Sequence, residues 1–133
     1  MLRGMSTISF FAADLDAANA WYTELLGLAP YFERPGYIEF RIGDYQHELG
    51  IIDAKYAPHS TATGPAGAIT YWAVDDLEAV HARLLELGAK EHDPITERGP
   101  GFVTASVVDP FGNLVGIMTN THYQQVHASL TNI

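Results

Sequence analysis

Cysteine is absent from the 133 residues. That excludes disulfides, thiolate zinc sites and cysteine nucleophiles together, and it suits a reducing compartment. Basic residues are scarce: seven Lys and Arg stand against 16 Asp and Glu, for a formal net charge of −9. A protein that tracks a nucleic-acid backbone needs a basic stripe. None is visible, so nucleic acid is not an expected partner. Long apolar runs are missing as well. No segment approaches the roughly 18 apolar residues of a membrane span. Met1-Leu2-Arg3-Gly4-Met5 holds no run that would serve as a signal peptide. The expected location is the cytoplasm, with no membrane partner.

What is present reads as one globular domain over residues 1–133, 47% hydrophobic and 17% charged, long enough to bury a core without covalent staples. The acids divide evenly, eight before Gly64 and eight after it, so there is no acidic tail. A surplus of this size favours solubility, and its field also attracts cationic ligands.

A repeat organises the chain. Asp14-Leu15-Asp16-Ala17-Ala18-Asn19-Ala20 matches Asp76-Leu77-Glu78-Ala79-Val80-His81-Ala82, 62 residues on. Leu15, Ala18, Tyr22 and Leu25 match Leu77, Val80, Leu84 and Leu87, the spacing of one helix face. Asp14 and Asp75 or Asp76 suit helix N-caps. Gly27 and Gly88 stand where a left-handed C-terminal residue is wanted.

The flanks repeat too. Strands are expected at 7–12, 30–33, 37–42 and 46–52 in the first half, and at 68–74, 89–92, 102–108 and 114–119 in the second. Gly43-Asp44 reads as a two-residue hairpin turn, and Asp109-Pro110-Phe111-Gly112-Asn113 as a longer one. Each half is therefore β-α-β-β-β. Module one runs over 5–55, a Pro/Gly/Ser/Thr-rich linker over 56–66, module two over 67–120 and a tail over 121–133. In the tail Tyr123, Val126 and Leu130 would share one side of a short helix.

Three segments carry a family likeness: Asp14-Leu15 followed by Trp21 through Leu28, Val74-Asp75-Asp76-Leu77 with Leu87-Gly88-Ala89, and Asp109 through Asn113. With the paired modules, the chain resembles the vicinal oxygen chelate superfamily of glyoxalases, ring-cleaving dioxygenases and bleomycin-resistance proteins. The resemblance implies an α+β fold: two βαβββ modules forming a curved mixed sheet around a cleft, with helices on the convex side. It also implies a homodimer, the commonest closed assembly. These segments mark helices and turns, so they speak for fold and not for chemistry.

Metal-using members of that superfamily take one ligand from the first strand and one from the last strand of each module, usually His, Gln or Glu. Carried over, those positions are Thr7, a place near Glu48, Ile69 and Gly116. Ile69 and Gly116 have no side-chain donor, and a threonine hydroxyl alone is a poor one. No metal and no other cofactor is expected. Three weak positions of four also argue against an enzyme. The six histidines are dispersed, and His122 and His127, five apart, miss the spacing of a helical ligand pair.

Strand alternation places Ile38, Phe40, Ile42, Leu49 and Ile51 on a buried face and Tyr37, Glu39, Arg41, Glu48, Gly50 and Ile52 on the opposite one. A two-residue turn would set Glu39 directly across from Glu48, with Arg41 diagonal to it. Paired carboxylates there would form either a salt-bridge cluster or a recognition site for a cation or hydrogen-bond donor. The ligand-binding candidates are Thr7, Phe11, Tyr37, Glu39, Arg41, Glu48, Tyr71, Phe102 and Met118, and Glu48 is the one catalytic candidate. Two functions stay open. One is metal-independent binding of a small aromatic or cationic molecule, similar to the bleomycin-resistance branch. The other is a lyase, isomerase or dioxygenase-type enzyme using Glu48 as base or metal ligand.

Overall fold

The computed structural model describes residues 1, 3, 5–57 and 68–131. Most of the expected linker, with His59, lies outside these. The chain forms two units, one ending at Ala62 and one beginning at Thr63, and each builds a four-stranded mixed sheet of its own.

In the first unit β1 (Thr7–Ala12) leads to α1 (Leu15–Leu26), then to β2 (Phe32–Arg34), β3 (Tyr37–Ile42) and β4 (His47–Asp53). The helix starts where the Asp14 carboxylate accepts the Ala17 N–H at 3.0 Å, satisfying one of the free donors of the first turn. It stops at Gly27, whose φ of 69° closes the last turn onto the Thr23 carbonyl. Its buried stripe is Ala18 and Tyr22. The Tyr22 ring packs against Phe10 and Phe40 at centroid distances of 6.2 and 6.5 Å. Phe40, Leu49 and Ile51 are fully buried on this face of the sheet, each removal from water stabilising the fold by about 1.5–3 kcal/mol.

Strand order is β1-β4-β3-β2, with β1 parallel to β4 and the other pairs antiparallel. The expected two-residue turn is not what joins β3 to β4. Ile42 pairs with His47, so the loop is Gly43 through Gln46, with positive φ at both ends, 71° at Gly43 and 57° at Gln46. Glu39 therefore faces Gly50, and Glu48 faces Arg41. The wider loop removes the like-charge pair and sets opposite charges across the ladder, the cheaper arrangement. Because the pairing shifts by an even step, the two faces keep their expected residues.

The second unit repeats the plan: β5 (Tyr71–Ala73), α2 (Leu77–Glu86), β6 (Lys90–Gly99), β7 (Phe102–Val108) and β8 (Leu114–Asn120), ordered β5-β8-β7-β6. Asp76 caps α2 through the Ala79 N–H at 3.1 Å. Strand β6 is much longer than the expected 89–92 and contains Pro94. As the outermost strand it can carry a residue without an N–H, and its register shifts around Asp93 and Thr96 absorb the irregularity. Strand β5 is shorter than expected. The β7–β8 turn is held by Asp109, only 3% exposed. Its carboxylate accepts the backbone N–H groups of Phe111 and Asn113 and the Asn113 side-chain amide at 2.9, 2.7 and 3.0 Å. The tail forms α3 (Thr121–Thr131), which leaves Val126 and Leu130 exposed.

Candidate functional site

The polar face of the first sheet gathers the candidates of module one. Thr7 and Phe11 come from β1, Tyr37, Glu39 and Arg41 from β3, and Glu48 from β4, all in phase along the ladder. The Thr7 hydroxyl donates to Glu48 Oε1 at 2.8 Å. The Tyr37 hydroxyl donates to Glu39 Oε1 at 2.6 Å, the short distance of a charge-assisted bond. Arg41 makes no ion pair with Glu48, although it faces it across the ladder; its guanidinium lies 3.7 Å from the centre of the Tyr31 ring. Among the described residues neither Glu39 nor Glu48 has a cationic partner within ion-pair distance.

This setting acts on Tyr37. Burial, the hydrogen bond to Glu39 and the charges of Glu39 and Glu48 push its phenol up to about 12, because each disfavours the phenolate. The phenol therefore remains a donor across the whole physiological range. Since its folded value lies above the ordinary 10.0, this contribution to stability is complete below pH 10 and is lost as pH rises towards 12. The difference between absorbance titrations at 295 nm of the parent and of Tyr37→Phe should be one tyrosine ionising near pH 12, with stability falling in that window. A difference curve centred near pH 10 would refute the assignment.

The ladders also show which positions of the two modules correspond. Ser9, five residues before the cap of α1, pairs with Gly50, and Tyr71, five before the cap of α2, pairs with Gly116. Gly50 therefore matches Gly116, whereas Glu48 matches Leu114. At both glycines a tyrosine fills the space a side chain would need. A Cβ on Gly50 would lie 2.8 Å from the Tyr37 hydroxyl oxygen, and one on Gly116 would lie 2.6 Å from Tyr71 Cδ1. Among the described residues no group of three or more His, Cys, Asp or Glu is arranged to hold a metal. The donor set does not fit a divalent ion.

The second sheet brings Tyr71, Phe102 and Met118 to one face, together with Thr104 and Ser106. Two neighbours on this face escaped the sequence reading: His92, whose Nδ1 lies 3.0 Å from the Ser106 hydroxyl, and Arg98, which donates to Thr104 at 3.1 Å. Both sit on β6, beyond or at the edge of the strand that Pro94 concealed. In the first unit Phe32 and Arg34 were missed in the same way. They pair with Glu39 and Tyr37 and so share the polar face, which the alternation of β3 alone could not show.

The profile of the Glyoxalase/Bleomycin resistance protein/Dioxygenase superfamily matches residues 4–117. No curated protein matches significantly. Among solved structures, the chain is similar to lactoylglutathione lyase from Agrobacterium tumefaciens, 21% identical over 89% of this chain and 94% of that one, with a TM-score of 0.67. It is similar to a bleomycin resistance determinant encoded on the transposon Tn5, also 21% identical, over 90% and 99% with a TM-score of 0.63. A fosfomycin resistance protein from Listeria monocytogenes, complexed with Mn(II), is 15% identical over 95% and 97%, with a TM-score of 0.73. At these identities the likeness is one of fold.

Proposed function

Because the chain belongs to the Glyoxalase/Bleomycin resistance protein/Dioxygenase superfamily, we propose that it binds a small aromatic or cationic molecule on the polar face of its first sheet, without a metal. The observation that carries this reading is the state of its two carboxylates. Glu48 and Glu39 are each held by a neutral hydroxyl, Thr7 and Tyr37, so both are positioned while their negative charge remains uncompensated. The aromatic rings of Tyr37 and Phe11 lie on the same face, and flat rings hold cations as well as apolar groups. The net charge of −9 raises the local concentration of cations. The likeness to a bleomycin resistance determinant agrees with this. A homodimer belongs to the same reading, with exposed Val126 and Leu130 of α3 as the surface it would cover.

A second reading keeps the same residues as an enzyme. Thr7 engages only Oε1 of Glu48, which leaves Oε2 open to take a proton, and the likeness to a lactoylglutathione lyase is the parallel. Glu48→Gln separates the two. For binding, calorimetry with benzylammonium and its neutral analogue benzyl alcohol should show the cation losing roughly 10- to 100-fold in affinity, the value of about 1.5–3 kcal/mol for a charge-assisted hydrogen bond. For catalysis, turnover should vanish with affinity nearly intact. Melting should change little in either case. If Glu48→Gln leaves affinity and activity as they were, Glu48 is not part of a site.

A further inference from the structure

The geometry points to a second binding site, at the β2–β3 turn, built for a planar aromatic carboxylate. A cavity of about 550 Å³ opens there, walled by Phe32, Arg34, Tyr37, Ile52 and Tyr56, a volume in the range of small-molecule pockets. Three of these walls are aromatic rings. Phe32 and Tyr37 stand 6.4 Å apart and tilted at 57°, so they offer a corner to a flat ring and not a closed stack. Tyr56 is fixed against the turn itself. A Cβ on Gly36 would lie 2.5 Å from Tyr56 Cε2, and Gly36 has a φ of 83°, so both its conformation and the ring's close approach require glycine. The Gly36 carbonyl accepts the Asp53 N–H at 2.9 Å, which ties the turn to the end of β4.

Charge identifies the occupant. Arg34 lines the cavity and makes no hydrogen bond or ion pair among the described residues. Lys55 Nζ lies 5.1 Å from the centre of the Tyr56 ring. Of the seven Lys and Arg in a chain of net charge −9, one therefore lines this aromatic pocket and a second lies against the Tyr56 ring that walls it. The nearby carboxylates keep their charge but are each held by a neutral donor, Glu33 by Asn19, Glu39 by Tyr37 and Asp53 by the Lys55 N–H, and none of them lines the cavity, whose one charged wall is Arg34. A guanidinium with all its donors free is a bidentate receptor for a carboxylate, and the rings supply the apolar contact that a flat ligand body needs. The site shares Tyr37 and the polar face with the one around Glu48, but it differs in the sign of its ligand and rests on Arg34, not on that reading.

The test uses 2-naphthoate and its neutral isostere 2-naphthamide, titrated into the full ¹⁵N-labelled chain. The naphthoate should move the amide signals of Phe32, Tyr37, Ile52 and Tyr56 and bind more tightly than the amide. Arg34→Gln should weaken naphthoate about tenfold and leave naphthamide unchanged. Tyr56→Ser should weaken both. Glu48→Gln should leave naphthoate within about twofold, so failure of the first site and of this one are separately visible. Because Arg34 is exposed and unpartnered, its variant should melt as the parent does. Equal affinity for acid and amide, insensitivity to Arg34→Gln, shifts that map to another face, or no binding at millimolar probe would each overturn the assignment.

Discussion

Gly116→Ala should destabilise the second unit by about 1–3 kcal/mol, the cost of forcing a methyl group into filled space, as read by urea unfolding. The backbone there is ordinary for any residue, so the effect is one of room alone. The added Cβ would stand 2.6 Å from Tyr71 Cδ1 and 2.8 Å from the Thr70 carbonyl oxygen. The ring can turn aside, but that carbonyl accepts the Gly116 N–H at 2.8 Å and cannot retreat without breaking the β5–β8 ladder. Tyr71→Ala in the same chain should therefore rescue only part of the loss. Gly50→Ala should cost less, because the atoms it would meet all belong to the Tyr37 ring and hydroxyl, which can move at the expense of the bond to Glu39. Any larger side chain at 116 would meet the same carbonyl. If Gly116→Ala unfolds at the parent's urea concentration, the tyrosine does not occupy the position as described.

Asp109→Ala should have an effect as large or larger, about 3 kcal/mol. The carboxylate is buried and gathers two backbone N–H groups and one side-chain amide into a single turn. Alanine leaves those donors without their acceptor inside the fold, and an unmade buried bond costs more than a made one contributes. Asp109→Asn keeps Oδ1, which serves both backbone donors, and loses the bond at Oδ2. Its cost should be less than half that of alanine. Should the two variants show the same midpoint in urea, the Oδ1 contacts are not what holds β7 to β8.

Periodicity made most of this fold readable. Strands β1, β3 and β7 fall on their expected residues, and Asp14, Asp76, Gly27 and Gly88 stand at the helix ends where capping chemistry puts them. What escaped was register and breakers. Gly43-Asp44 has the residues of a tight turn, but the loop closes at Gln46, and nothing about glutamine announces a positive φ. Pro94 hid β6 because proline bars a strand only from the interior of a sheet, and edge position is a property of the assembled sheet. The site divides the same way. Alternation assigned Tyr37, Glu39 and Glu48 to one face, since a face needs only a period of two. Which residue touches which depended on the loop length, and the neighbours from β2 and the Tyr56 turn depended on strands pairing across it.

Thr7 and Glu48 touch although 41 residues separate them. The polar face of the first sheet thus does not exist in any shorter part of the unit; it appears only when β1 closes in parallel onto β4. A compound that recognises this face has nothing to recognise in the unfolded chain, so its binding free energy is added in full to the folding equilibrium. At a hundred times its dissociation constant that addition is about 2.7 kcal/mol, which in a domain of this size raises the melting temperature on the order of ten degrees. Heat denaturation therefore weighs acids, cations and neutral rings on one scale, with no label and no prior choice of chemistry.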